Sequence, residues 1–137
     1  MSLVLDSSVA LAWLFSDEVT PATQNVFDTV LADRAWVPSL WRLEIANALQ
    51  MGVRRGRISA EFRDASLIDL ALLAIAVDPE TDTFAWSATL RLAERYQLTL
   101  YDAAYLELAQ RLNVPLATLD QELRTAGSAL GLVLLGS

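Results

Sequence analysis

At 137 residues the chain is of single-domain size, 1–137, and long enough to bury a core. Its 54% hydrophobic share against 20% charged residues is rich for a soluble monomer, and its net charge of −7 weighs against unaided binding to a phosphate backbone. There is no cysteine, histidine or lysine, all ten basic residues being arginine, which excludes disulfides, thiolate chemistry, Ser-His-Asp triads, histidine-ligated zinc, Schiff bases and a P-loop lysine.

The chain begins with a short strand, Leu3 to Leu5, followed by a helix from about Ser8 to Phe15. SDEVTPATQNVFDTVLADR predicts a second helix, with Pro21 near its first turn and Val26, Phe27, Val30 and Leu31 on one side. AWVPS is a short strand. SLWRLEIANALQMGVRRG is a long helix stopping near Gly56, and ISAEFRDASLIDLALLA is another that starts at Ser59. AIAVD forms a third strand, closed by Asp78-Pro79. Helices follow over Thr83–Tyr96 and Asp102–Leu112, then the strand VPLATLD, a short helix DQELRTAG ending at Gly127, and a last strand LVLL. Short apolar strands separated by helices predict an α/β fold: a three-layer α/β/α sandwich around a parallel sheet of four to five strands.

The longest apolar run, LIDLALLAIAV, is too short to span a bilayer and contains Asp69, so no membrane segment is expected. The N-terminus lacks a basic region and its apolar run breaks at Asp6, which does not read as a signal peptide; a cytoplasmic protein is the expectation.

With the other reactive side chains missing, ionisable chemistry falls to carboxylates. Asp6 directly follows the first strand and Asp120 directly follows PLATL. In an open parallel sheet ligands bind outside the carboxyl ends of strands, so if these two strands are neighbours both acids emerge at one edge. Each also has a local explanation as a helix N-cap. Asp102 opens DAAYLELAQRL, sharing a face with Tyr105, Leu106 and Ala109 while Glu107 points elsewhere; it too could be a cap.

Glu44 lies in a helix reading as apolar almost all round (Leu40, Trp41, Leu43, Ile45, Ala46, Ala48, Leu49). A charge there must be paired, protonated or bound to a cation. Asn47, three residues on, can orient it, and a salt bridge to an arginine is the structural alternative. Asp78 reads as an ordinary Asp-Pro turn residue. Taken together, Asp6, Glu44, Asp102 and Asp120 beside apolar segments suit a hard divalent ion such as Mg²⁺ or Mn²⁺, one or two of them.

VLDSSV, LEIANAL, LTLYDAAYLELA and LATLD, in that order, resemble the PIN-domain ribonucleases, in particular the VapC-like toxins of toxin–antitoxin pairs, over about Leu3 to Leu135. The resemblance implies that Asp6, Glu44, Asp102 and Asp120 hold Mg²⁺ or Mn²⁺ for hydrolysis of RNA phosphodiester bonds. It implies supporting roles for Ser8, Asn47 and Thr118, and a more variable one for Glu122. It further implies a small VapB-like antitoxin partner and a toxin homodimer. The alternative is a PIN-like module that binds RNA or protein with little or no catalysis.

Arg54, Arg55 and Arg57 read either as phosphate contacts beside the site or as cations complementing a helix C-terminus with Gly56 as its cap. Trp13, Trp36, Trp41 and Trp86 read as core or interface rather than base-stacking residues. A receiver-like phosphoacceptor wants a lysine that is absent; a haloacid-dehalogenase-type phosphatase wants an Asp where Ser8 stands; a dinucleotide site wants glycines that DSSVA lacks.

Overall fold

A computed structural model describes all residues, 1–137. Five short strands, β1 (Leu3–Leu5), β2 (Ala35–Val37), β3 (Ile75–Val77), β4 (Leu116–Ala117) and β5 (Leu134–Leu135), form one parallel sheet in the order β3-β2-β1-β4-β5. The eight helices are α1 (Ser7–Trp13), α2 (Pro21–Ala32), α3 (Trp41–Arg54), α4 (Ala60–Ala71), α5 (Thr81–Phe84), α6 (Ala88–Tyr96), α7 (Leu100–Leu112) and α8 (Gln121–Ala129). Right-handed crossovers put α1–α4 on one face and α5–α8 on the other. The α/β/α sandwich expected from the alternation of elements is the fold found.

The central strand is covered on both faces, which is why LVL is apolar without alternation: Leu3, Val4 and Leu5 have no exposure. Tyr105, Leu106 and Leu108 of α7 press onto it with Leu116 of β4 and Leu123 of α8. No helix is long and apolar enough to cross a membrane.

Several elements differ from their sequence patterns. The second helix begins only at Pro21, because Thr20 and Thr23 form a reciprocal capping box. The helix expected over Thr83–Tyr96 is broken into α5 and α6, and Trp86, between them, is 91% exposed rather than core. Gly127 does not end its helix. It is buried inside α8, where a Cβ would come 2.8 Å from Leu134 Cδ2, and the left-handed Gly131 (φ +75°) follows the helix instead.

Nor is α3 apolar all round. Trp41, Ile45 and Leu49 are buried at spacing i, i+4, i+8, while Leu43 is 76% exposed and Asn47 and Ala48 are exposed. Its outer surface faces solvent, so hydrophobic residue type overstated its burial.

Candidate metal centre

The sheet order reverses between β1 and β4, the strands flanking the topological switch point where an open α/β sheet offers its crevice. β1 and β4 are direct neighbours, Val4 opposite Leu116 and Leu5 opposite Ala117, so Asp6 and the Thr118–Asp120 segment leave the sheet side by side.

Asp6 occupies the N-cap position of α1, yet its carboxylate makes no capping bond. Instead Oδ2 accepts two hydroxyls, Ser8 Oγ at 2.6 Å and Thr118 Oγ1 at 2.8 Å. Each hydroxyl is oriented in turn by a backbone donor: Leu119 N–H to Ser8 Oγ at 3.0 Å and Asp120 N–H to Thr118 Oγ1 at 3.0 Å. These four bonds tie the end of β1 to the loop carrying Asp120. Oδ1 of Asp6 receives no side-chain hydrogen bond. Asp120 does cap α8, its Oδ1 accepting from Leu123 N–H at 2.9 Å.

Asp102 is not the cap of its helix. Thr99 caps α7 by accepting from Asp102 N–H at 3.1 Å, which leaves the Asp102 carboxylate free in the first turn, half-buried. Glu44 is also half-buried, in the first turn of α3, and accepts a hydrogen bond from the hydroxyl of the fully buried Tyr105. The sequence reading missed Tyr105 as a functional candidate. Its only signal was a position one helical turn after Asp102 on the same face. Asn47 makes no hydrogen bond to Glu44 and is exposed.

Burial pushes the Asp6 carboxyl above its ordinary value; the Ser8 and Thr118 hydroxyls oppose the shift and the charge of Asp120 adds to it. Burial likewise raises Glu44, with Tyr105 opposing and Asp6 and Asp102 adding. Asp102 is raised by burial, then by Asp120 and Asp6, with Thr99 opposing and Glu122 adding a little. Asp6, Glu44 and Asp102 therefore each feel the charge of other acids in the set, and Glu122, exposed in the first turn of α8, lies at its margin. Tyr105 is pushed well above the usual phenol range by burial and by Glu44, so it is a neutral donor.

No arginine pairs with any of the four. The buried ion pairs form elsewhere: Arg111 meets Asp78 at 2.6 Å and Glu107 at 2.8 Å, with the exposed Glu80 at 3.4 Å, and its guanidinium lies 4.6 Å from the centroid of the Phe84 ring. Asp78 is thus more than a turn residue, and Glu107, on another face of α7, is buried as well. The salt-bridge alternative considered for Glu44 describes these two acids instead.

A set of like charges without arginine partners and made of hard oxygen donors, three of them raised in pKa, fits a hard divalent cation. As the side chains stand, however, no three acids are grouped to hold one ion. Arg54, Arg55 and Arg57 are exposed at the opposite end of α3 from Glu44, ten residues or roughly 15 Å along its axis. They do not line the carboxylate crevice. An apolar groove of about 220 Å³ is also separate: α3, α4 and β3 line it with Trp41, Ile45, Leu67, Leu70, Ile75 and Val77, and it holds no carboxylate.

Residues 3–128 match the PIN domain family model. The chain belongs to the PIN-domain family. This PIN domain is 34% identical over 129 residues to the VapC ribonuclease Mb0985 of Mycobacterium bovis, covering 93% of this chain and 92% of that protein. It is 28% identical over 123 residues to ribonuclease VapC3 of Pyrobaculum aerophilum, covering 90% and 92%. Among solved structures, VapBC2 from Rickettsia felis, bound to a DNA fragment from its promoter, superposes with a TM-score of 0.66 at 13% identity over 98% of this chain and 97% of that one. At that identity the likeness concerns the fold.

Proposed function

We propose that this PIN domain is a Mg²⁺- or Mn²⁺-dependent endoribonuclease, the toxin of a toxin–antitoxin pair. The observation that carries this reading is the clamp on Asp6, which fixes one acid at the switch point while three others, none paired with an arginine, repel it. The ribonuclease names of the VapC relatives supply the substrate class.

Asp6, with Oδ2 held by two hydroxyls, offers its other oxygen to a cation. Asp120, Asp102 and Glu44 complete the ligand set, directly or through water, once their side chains turn toward it. The bound ion, single or paired, would supply the Lewis acidity and water activation that a chain without histidine lacks. Arg54, Arg55 and Arg57 are available to phosphates further along a bound RNA.

Purified protein with Mg²⁺ or Mn²⁺ should cleave structured RNA, and Asp6→Asn should abolish cleavage while the far-UV circular dichroism stays native. Cleavage that survives chelator, or persists in the variant, would contradict the mechanism. A PIN-like binding module with little catalysis is the second reading, favoured by the ungrouped arrangement of the acids. RNA retained but uncut under the same conditions would select it.

The fold shared with VapBC2 of Rickettsia felis supports a small VapB-like antitoxin partner. The exposed Trp86, Leu90 and Leu72 supply apolar surface for protein contacts, a homodimer among them. Co-expression with a short reading frame next to the gene should yield a complex and suppress growth arrest. Harmless expression of the chain alone would count against toxin status.

A further inference from the structure

We propose that Tyr105 is a positioning residue of the carboxylate centre: its hydroxyl holds Glu44 in place for a divalent cation. The inference rests on the reading of the four acids as a cation site and names the part that α7 plays in it. Tyr105 has no exposure, yet its hydroxyl reaches across to another helix, 61 residues away in sequence, and donates to Glu44 Oε1. Asp102 stands three residues earlier on α7, hence on the same face. One helix thereby supplies an acid of the set and fixes a second acid belonging to α3.

The Glu44 carboxylate has no other hydrogen-bond partner in the structure and starts from the first turn of a helix whose outer face is solvent-exposed. Without the phenol, nothing would distinguish an inward rotamer from one turned to water. The bond occupies Oε1, leaving Oε2 for a ligand. This is the relation that outer hydrogen bonds bear to metal-binding carboxylates, where removal of the partner costs about 10–100-fold in affinity or activity.

A merely structural tyrosine would also bury its ring and satisfy its hydroxyl, so the test must separate packing from positioning. Tyr105→Phe keeps the ring. Glu44 is half-buried and can turn its freed oxygen to water, so the variant is not left with a buried orphan. The experiment is a titration of metal-free protein with Mn²⁺, following the free-ion electron paramagnetic resonance signal, for wild type, Tyr105→Phe, Glu44→Gln and the double variant, with thermal unfolding in chelator alongside.

Wild type should bind saturably and Tyr105→Phe about 10-fold more weakly. The double variant should be no weaker than Glu44→Gln alone, because the tyrosine acts only through that acid. Equal affinity of Tyr105→Phe and wild type would overturn the proposal while leaving the cation site standing. A further loss in the double variant would overturn it too, by showing an independent role. Absence of saturable binding in wild type would remove the cation site, and the proposal with it.

Discussion

Burying the carboxyl of Asp6 beside Asp120 has a free-energy cost that its two hydroxyl donors offset only in part, so its pKa stays above the ordinary value. The same sign holds for Glu44 and Asp102. A raised carboxyl keeps its proton in the folded state at a pH where the unfolded chain has released it. The folded state then binds more protons than the unfolded one, and stability falls as pH rises through that window. Metal-free protein should therefore lose resistance to urea as pH rises above the ordinary carboxylate range. Added Mg²⁺ should recover more stability at neutral pH, where protons compete least. Stability rising across the same interval in chelator would contradict the assigned shifts.

Thr118 carries the other residue-scale prediction. Thr118→Val keeps the shape but deprives Asp6 of one donor and the Asp120 N–H of its acceptor in a fully buried place. A loss of about 1–3 kcal/mol in denaturant unfolding is expected, with RNA cleavage impaired beyond it. Both hydroxyls around Asp6 were legible in the sequence through the likeness of DSS and TLD to family motifs. Tyr105 was not, because a buried tyrosine in a core helix looks the same whether its hydroxyl meets a backbone carbonyl or the carboxylate of Glu44.

Elements are held to one another by a second group of charges. Asp78, at the end of β3, and Glu107 of α7 are both buried around Arg111, so the arginine joins the sheet edge to the helix that carries Asp102. Burial alone would raise Asp78, but hydrogen bonds from Arg111, Glu80 N–H and Thr81, with the Arg111 charge, hold it below its usual value. That contribution is present above the unfolded value and is lost as pH falls through the lower, folded one, opposite in sense to the Asp6 group. Arg111→Met would leave two buried acids without a cation, at a cost of about 3–5 kcal/mol in denaturant unfolding. Per folded molecule, cleavage should persist.

Element type and order were readable because each strand is a short apolar run bounded by turn residues and each helix shows its period. Boundaries were less so. The capping box at Thr20 and Thr23 outcompeted the acidic run before it, and Thr99 took the cap that Asp102 was positioned to make. The close approach of Leu134 explains why Gly127 stays inside α8. That contact lies in the packing of α8 against β5 and has no local signature.

At the scale of the whole molecule, the action on RNA proposed for so acidic a chain implies that cations mediate the encounter. Cleavage should depend on divalent ions and weaken as monovalent salt rises. Exposed Trp86, in the break between α5 and α6, and Leu90 of α6 make Trp86→Ser the variant of choice for the homodimer. Light scattering should give twice the single-chain mass for wild type and a lower mass for the variant. A wild-type monomer would remove that expectation without touching the site. The composition had announced this surplus of apolar surface, though only the fold shows where it lies.

The central claim is that residues at 6, 44, 102 and 120 close around a divalent ion. A crystal of the protein soaked in Mn²⁺ and measured at the manganese absorption edge tests it in one observation. The account predicts an anomalous peak bounded by Asp6, Asp102 and Asp120, with Glu44 at ligand distance or one water away. No peak there, or a peak only beside Asp78, Glu80 and Glu107, would contradict it.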